Sequence, residues 1–267
     1  MKPVFKRILI YSAVIYLSFT LLIYFKQEAY IFFPTKENHT IEKTNNKIVE
    51  YELKLQNTKL YGWLTNQEYA KKKLVIYYGG NAEDIYYNIP DFQKLEGIAT
   101  LLVNYRGYGL SNGKASEKIL FSDAIAIYDN IFPTYHPEKI ILLGRSLGSG
   151  VATYLASQRK IDGVILVTPY DSVLNMAKEK FPFLPISIML RHKFDSLKYV
   201  KKIKCPILVL YGGNDSLIPN RRTENLIKNI EGHKKIVLIK EADHNNINIY
   251  PEYWENLFKF INQTNQI

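Results

Sequence analysis

The residues best placed to do chemistry are Gly144-Arg145-Ser146-Leu147-Gly148, set between the apolar run 140–143 and Ser149-Gly150-Val151-Ala152, which opens a helix. A serine two residues from a glycine on either side, at a strand-to-helix turn, is the pattern of a nucleophile elbow. The turn is so sharp that side chains at Gly144 and Gly148 would clash, and the serine hydroxyl is pushed out beyond the sheet. The helix N-terminus behind it offers free N–H groups and the positive end of a dipole to a developing oxyanion. The competing reading is a glycine-rich turn that merely packs, or that binds a phosphate.

A serine nucleophile needs a base, and the chain has 5 histidines. His39 precedes the sheet, His136 and His233 stand before strands, and His192 falls in a long interval between strands. Only His244 follows an expected strand, so it is selected by elimination, against the alternative of a surface histidine in a polar loop. The orienting carboxylate should also follow a strand and lie between Ser146 and His244. Asp215, after Gly212-Gly213-Asn214, is favoured. Asp171 is the other candidate, better suited to capping a helix, and Asp243 adjoins His244 too closely for a good Nδ1 hydrogen bond. An oxyanion hole would take the Leu147 N–H and one from the loop Gly79-Gly80-Asn81-Ala82, with Asn81 first and Gly80 next.

These residues require a scaffold that brings post-strand loops together. A hairpin is expected over 47–55 and 59–64, turning at Asn57-Thr58. Six short apolar runs follow, at 74–78, 98–104, 140–143, 163–168, 207–211 and 235–240. Runs without alternation suit strands buried on both faces. The intervals hold helical patterns at 84–95, 117–131, 147–158, 221–230 and 252–261. Strand alternating with helix predicts an α/β fold, a mostly parallel central sheet with helices on both faces, and ligands bound beyond the carboxyl ends of the strands. The interval 171–204 is long and carries FPFLP and ISIML, so a small cap is expected there.

Before this body, residues 8–25 (ILIYSAVIYLSFTLLIYF) carry no charge. As a helix the run is about 27 Å long, close to the hydrocarbon thickness of a bilayer. It is read as an uncleaved transmembrane anchor; a signal peptide and a core helix are the alternatives, weakened by the lack of an A-x-A site and of a polar stripe. Lys2, Lys6 and Arg7 precede it, so residues 1–7 are expected in the cytoplasm and residues 26–267 on the extracytoplasmic side of a single-pass membrane protein. The net charge of +10 then fits a domain beside anionic lipid, and no zinc-finger or RNP-type motif supports a nucleic-acid partner. A single cysteine, Cys205, excludes an intramolecular disulfide and CxxC motifs.

The chain resembles the α/β-hydrolase superfamily, and within it the membrane-anchored branch that includes the eukaryotic α/β-hydrolase-domain depalmitoylases and their bacterial relatives. The matching pieces are YIFFPTK (30–36), GNAED (80–84), NYRGYGLS (104–111), GRSLG (144–148), TPYDS (168–172), FPFLP (181–185), GNDSLIP (213–219) and ADHN (242–245). The resemblance implies a catalytic triad at Ser146, Asp215 and His244 and an oxyanion amide at Asn81. It further implies an α/β-hydrolase fold and cleavage of acyl esters or thioesters, lipid or lipidated substrates included, without metal or organic cofactor. Gly79 departs from the family, which often has histidine before GNA, and so no side chain acts at that position. Peptidase activity on the same triad and a non-catalytic binding protein of the same fold are the alternatives.

Overall fold

A computed structural model of the protein describes residues 3–35 and 48–263. Lys2, Lys36, His39 and Lys47, which entered the reading above, lie outside the described residues. Eight strands form one sheet: β1 (Ile48–Leu55), β2 (Thr58–Thr65), β3 (Lys73–Tyr78), β4 (Ala99–Val103), β5 (Lys139–Arg145), β6 (Gly163–Val167), β7 (Ile207–Gly212) and β8 (Lys234–Ile239). Their order across the sheet is β1-β2-β4-β3-β5-β6-β7-β8. The pairs β1/β2 and β2/β4 are antiparallel and all the others parallel.

The strands from β4 to β7 are almost wholly buried, which is why their sequences are continuous apolar runs. Side chains alternate between two cores. Leu74, Ile76 and Tyr78 face one, covered by α3 (Glu117–Tyr135), α4 (Leu147–Ala156) and α8 (Asn220–Lys228). Val75 and Tyr77 face the other, covered by α2 (Ile89–Gln93) and α9 (Pro251–Gln263). The edge strand β8 is mostly exposed and its sequence is correspondingly charged.

The helix expected over 84–95 is instead a 3-10 turn, Ile85–Asn88, followed by the short α2. Pro90 has no N–H to bond back to the preceding turn, so it cannot continue one helix through 84–95, and it stands instead in the first turn of α2, where the missing N–H costs nothing.

At the N-terminus α1 (Pro3–Ile31) is long and apolar enough to cross a membrane, and none of its most apolar 18-residue window is buried in the body. It is therefore not a core helix. Its last turns meet the segment between β6 and β7. That segment contains α5 (Val173–Lys180), α6 (Ile186–Met189) and α7 (Ser196–Val200). Ile23 and Tyr24 pack on Leu184, Ile186 and Met189. The buried Gln27 side chain donates to the Met189 carbonyl at 3.2 Å and accepts from the Arg191 amide at 2.8 Å. Val200, by contrast, joins the main core.

Candidate active site

Strands β3 and β5 are neighbours, and the chain turns from them to opposite faces of the sheet, to α2 after β3 and to α4 after β5; in such a sheet ligands bind beyond the carboxyl ends of these two strands. Tyr78 and Gly144 are in register there, which sets the loop after β3 against the turn after β5. Ser146 occupies that turn with φ +50° and ψ −116°, a conformation costly for a residue with a Cβ. Close packing holds it. A Cβ on Gly148 would stand 2.0 Å from the Tyr78 carbonyl oxygen, and one on Gly144 would stand 2.3 Å from the Gly148 carbonyl oxygen.

Ser146 Oγ lies 2.9 Å from His244 Nε2, and His244 Nδ1 lies 2.8 Å from Asp215 Oδ2. His244 and Asp215 are both buried. The other carboxylate oxygen of Asp215 accepts from the amides of Leu217 at 3.0 Å and Ile218 at 2.7 Å, so the carboxylate cannot rotate away. The loop that carries Asp215 is not the loose turn its glycines suggest. A Cβ on Gly212 would meet the Ala242 carbonyl at 2.3 Å and one on Gly213 the Lys240 carbonyl at 2.3 Å, and the Asn214 amide donates to Ala242. Glycine here lets the loops after β7 and β8 touch, which is what brings Asp215 to His244.

Asp171 does not approach His244, nor does it cap a helix: Ser172 caps α5, accepting from the Asn175 amide. Asp171 is fully buried and gathers Asn175, Asn225 and Arg222, tying α5 to α8. Asp243 instead accepts from the Asn245 and Asn246 amides. Among the other histidines, His136 ends α3 and His192 accepts from the Glu117 amide.

Among the described residues, neither the Leu147 nor the Asn81 amide donates a hydrogen bond. The Gly80 amide is already committed to Glu83 Oε2 at 2.7 Å. This separates the two candidates in the loop: Asn81 keeps a free N–H and Gly80 does not. The Asn81 backbone is clamped from behind, its carbonyl accepting from Tyr108 Oη at 2.6 Å and from the Phe33 amide at 3.3 Å. Tyr105 Oη holds the Gly79 carbonyl at 2.8 Å.

The chain matches the family model described as serine aminopeptidase, S33, over residues 70–185. It is 33% identical over 160 residues to alpha/beta hydrolase domain-containing protein 17C of Homo sapiens, covering 59% of this chain and 47% of that protein. It is 32% identical over 151 residues to an uncharacterized protein of Mycobacterium tuberculosis, 56% of this chain and 54% of that one. The chain thus spans about half the length of the curated relatives it matches. Among solved structures, the Pyrococcus furiosus esterase Pf2001 superposes with a TM-score of 0.69 at 19% identity, over 86% of this chain and 98% of that one, a likeness of fold. The chain belongs to the α/β-hydrolase superfamily.

In this α/β-hydrolase the sequence reading missed a charged brace behind Ser146. Arg145 donates to Glu83 Oε2 at 2.7 Å and to the His244 carbonyl at 3.2 Å. Glu83 also accepts from Tyr77 and Asn88. One ion pair therefore joins the loops that carry Asn81, Ser146 and His244. The signal was present: a cation inside the elbow, at the end of an apolar strand, needs an anion nearby.

Burial alone would raise the Glu83 pKa, but Arg145 and the hydrogen bonds from Tyr77 and the Gly80 amide hold it below its ordinary value of 4.5. A carboxyl with a depressed folded-state pKa stabilises the fold above its unfolded pKa, and that contribution disappears as pH falls through the folded value. Glu83→Gln is therefore expected to be less stable than the wild type near neutrality, with the gap closing on acidification. Thermal unfolding of both proteins from about pH 7 to about pH 3 measures it; a gap constant across that range would contradict the brace.

Proposed function

We propose that this protein is a membrane-anchored serine hydrolase that cleaves acyl ester or thioester bonds through an acyl-enzyme intermediate. The observation that carries the reading is the continuous hydrogen-bonded line from Ser146 Oγ through His244 to Asp215, at 2.9 and 2.8 Å, beyond the carboxyl ends of β5, β8 and β7.

His244 Nε2 takes the Ser146 proton as Oγ attacks the carbonyl carbon, and Asp215 holds the imidazole so that Nε2 is the free base. The new C–O bond places negative charge on the carbonyl oxygen, where the Leu147 and Asn81 amides donate to it. His244 then protonates the leaving alcohol or thiol. In the second half it draws a proton from water, which attacks the acyl-serine carbonyl, and returns that proton to Ser146 Oγ as the bond to serine breaks and the acid leaves. The name of the structurally similar esterase and the hydrolase in the name of the relative favour ester substrates; thioesters and lipid or lipidated substrates are what the sequence resemblance adds. The serine aminopeptidase description of the matched family model favours amide cleavage as the second reading. The apolar α1, with basic Lys6 and Arg7 at its start, supports a single-pass anchor with the domain on the extracytoplasmic side.

The test is to label the detergent-extracted full chain with a fluorophosphonate, then to offer p-nitrophenyl esters of rising acyl length beside aminoacyl amides. Selective labelling of wild type over Ser146→Ala, with ester turnover, is expected. Equal labelling of the two proteins would remove the serine mechanism, and amide turnover without ester turnover would favour the peptidase.

Removing the clamp on Asn81 tests the oxyanion role. Tyr108→Phe deletes the bonds to the Asn81 carbonyl and from the Phe33 amide. The Asn81 N–H acts on charge present only in the transition state, so kcat is expected to fall about tenfold with little change in KM. Steady-state kinetics on one ester separates this from a binding defect, which would raise KM alone.

A further inference from the structure

We propose that residues 181–190 (FPFLPISIML) form a second membrane-contacting element, sunk into the acyl region of the leaflet on the domain's side of the bilayer. The proposal rests on the reading of α1 as an anchor.

The first observation is composition and exposure together. The ten residues carry no charge and Ser187 is their one polar side chain. Phe183 is 87% exposed and Ile188 is 89% exposed, the two highest values among the large apolar side chains of the described residues, those of α1 included. Lys180 and Arg191 bracket the run, both exposed. An apolar loop with a cation at each end suits a segment that dips into lipid while its flanks stay with anionic headgroups.

The second observation is depth. Arg191 lies over the Tyr24 ring at 5.4 Å and beside Glu28 at 3.5 Å, level with the end of the uncharged span. The Phe183 carbonyl, however, accepts from Tyr16 Oη at 2.9 Å. Tyr16 is eight residues earlier on the helix, about 12 Å further along the axis. If α1 spans the bilayer, Phe183 is carried to that depth, inside a leaflet whose hydrocarbon is about 15 Å thick.

The third observation is that the segment's backbone suits such a medium, where unpaired polar groups are costly. Pro182 and Pro185 have no N–H to satisfy. Amides of Leu184, Ile186, Ile188, Met189 and Leu190 bond to carbonyls within the segment. The Tyr16 hydroxyl, itself a polar group in an apolar helix, and the Phe183 carbonyl satisfy each other. The occupant is thus lipid, the medium already surrounding the helix on which the segment is seated. Because this segment leaves the sheet beyond the carboxyl end of β6, the end that holds Ser146, the domain rests with its site end toward the bilayer.

The experiment uses the full chain with Cys205→Ala, so that single cysteines can carry an environment-sensitive nitrobenzoxadiazole probe. The probe is placed at Phe183→Cys and Ile188→Cys, with Ile15→Cys in the span and Lys71→Cys at the far end of the sheet as references. Proteins are reconstituted in vesicles of phosphatidylcholine and phosphatidylglycerol containing acyl-chain doxyl lipid. Positions 183 and 188 are expected to show blue-shifted emission and doxyl quenching like position 15, with position 71 unquenched. Quenching at 15 but not at 183 and 188 overturns the proposal while leaving the anchor in place; absence of quenching at 15 as well overturns both. A blue shift without lipid quenching, the result a protein partner or second copy would give, also overturns it. None of these readouts depends on turnover, so they stand whether or not the hydrolase reading does.

Discussion

Ser146→Ala is expected to lower kcat for ester hydrolysis by about 10⁶-fold while leaving the unfolding temperature almost unchanged. The loss is large because the remaining groups work only through the nucleophile. His244, oriented by Asp215, has no hydroxyl proton to take from alanine, and the acyl-enzyme cannot form. The residual rate comes from the Leu147 and Asn81 amides acting on direct attack by water. The fold is spared because the Ser146 side chain contributes one hydrogen bond, to His244, while its backbone bonds to Val167 and Ser149 remain, and because alanine at φ +50° carries the same Cβ strain as serine. Kinetics and thermal unfolding on one preparation check both halves. A fall of less than about a hundredfold would mean that Ser146 is not the nucleophile.

Gly148→Ala should give the opposite division, with the fold lost along with the activity. The added methyl would lie 2.0 Å from the Tyr78 carbonyl oxygen and 2.7 Å from that of Gly79. Both contacts are backbone, one at the end of a strand paired on each side and the other in the residue that follows it, so neither can swing away as a flexible side chain would. Either α4 lifts from β3, opening the core where Val151 and Ala152 are fully buried, or the Ser146 turn unwinds. Destabilisation of more than about 4 kcal/mol is expected, a large part of the roughly 5–15 kcal/mol that holds a domain folded. Urea denaturation followed by far-UV circular dichroism measures it. A well-folded Gly148→Ala protein with a normal midpoint would show that the elbow is less tightly packed than its distances imply.

How far the sequence could be read depended on how local each signal was. The buried strands were legible because a strand covered on both faces must be apolar throughout, whatever packs on it. The elbow was legible because Gly144 answers a clash with Gly148 four residues on, whereas the need for glycine at 148 itself comes from Tyr78, far away in sequence. The single helix expected after β3 failed at Pro90, where a local breaker was outvoted by the apolar pattern around it. The brace of Glu83 and Arg145 went unread because its two members are 62 residues apart and meet only when β3 and β5 pair.

The sequence by itself determined the alternation of strand and helix, the position and flanking glycines of Ser146, the short choice of histidines and carboxylates behind it, and a helix apolar enough for a bilayer. Only the tertiary structure decided which members of that choice meet. Asp215 reaches His244 because Gly212 and Gly213 let two loops touch, while Asp171 is turned toward Arg222. Asn81 keeps its amide because Glu83 takes that of Gly80. The apolar run 181–190 was visible as composition, but its place beside Tyr16 was not. Local pattern reports what each residue needs from its surroundings, whereas a hydrogen-bond partner or a depth in a membrane is set by segments brought together only when the sheet is assembled.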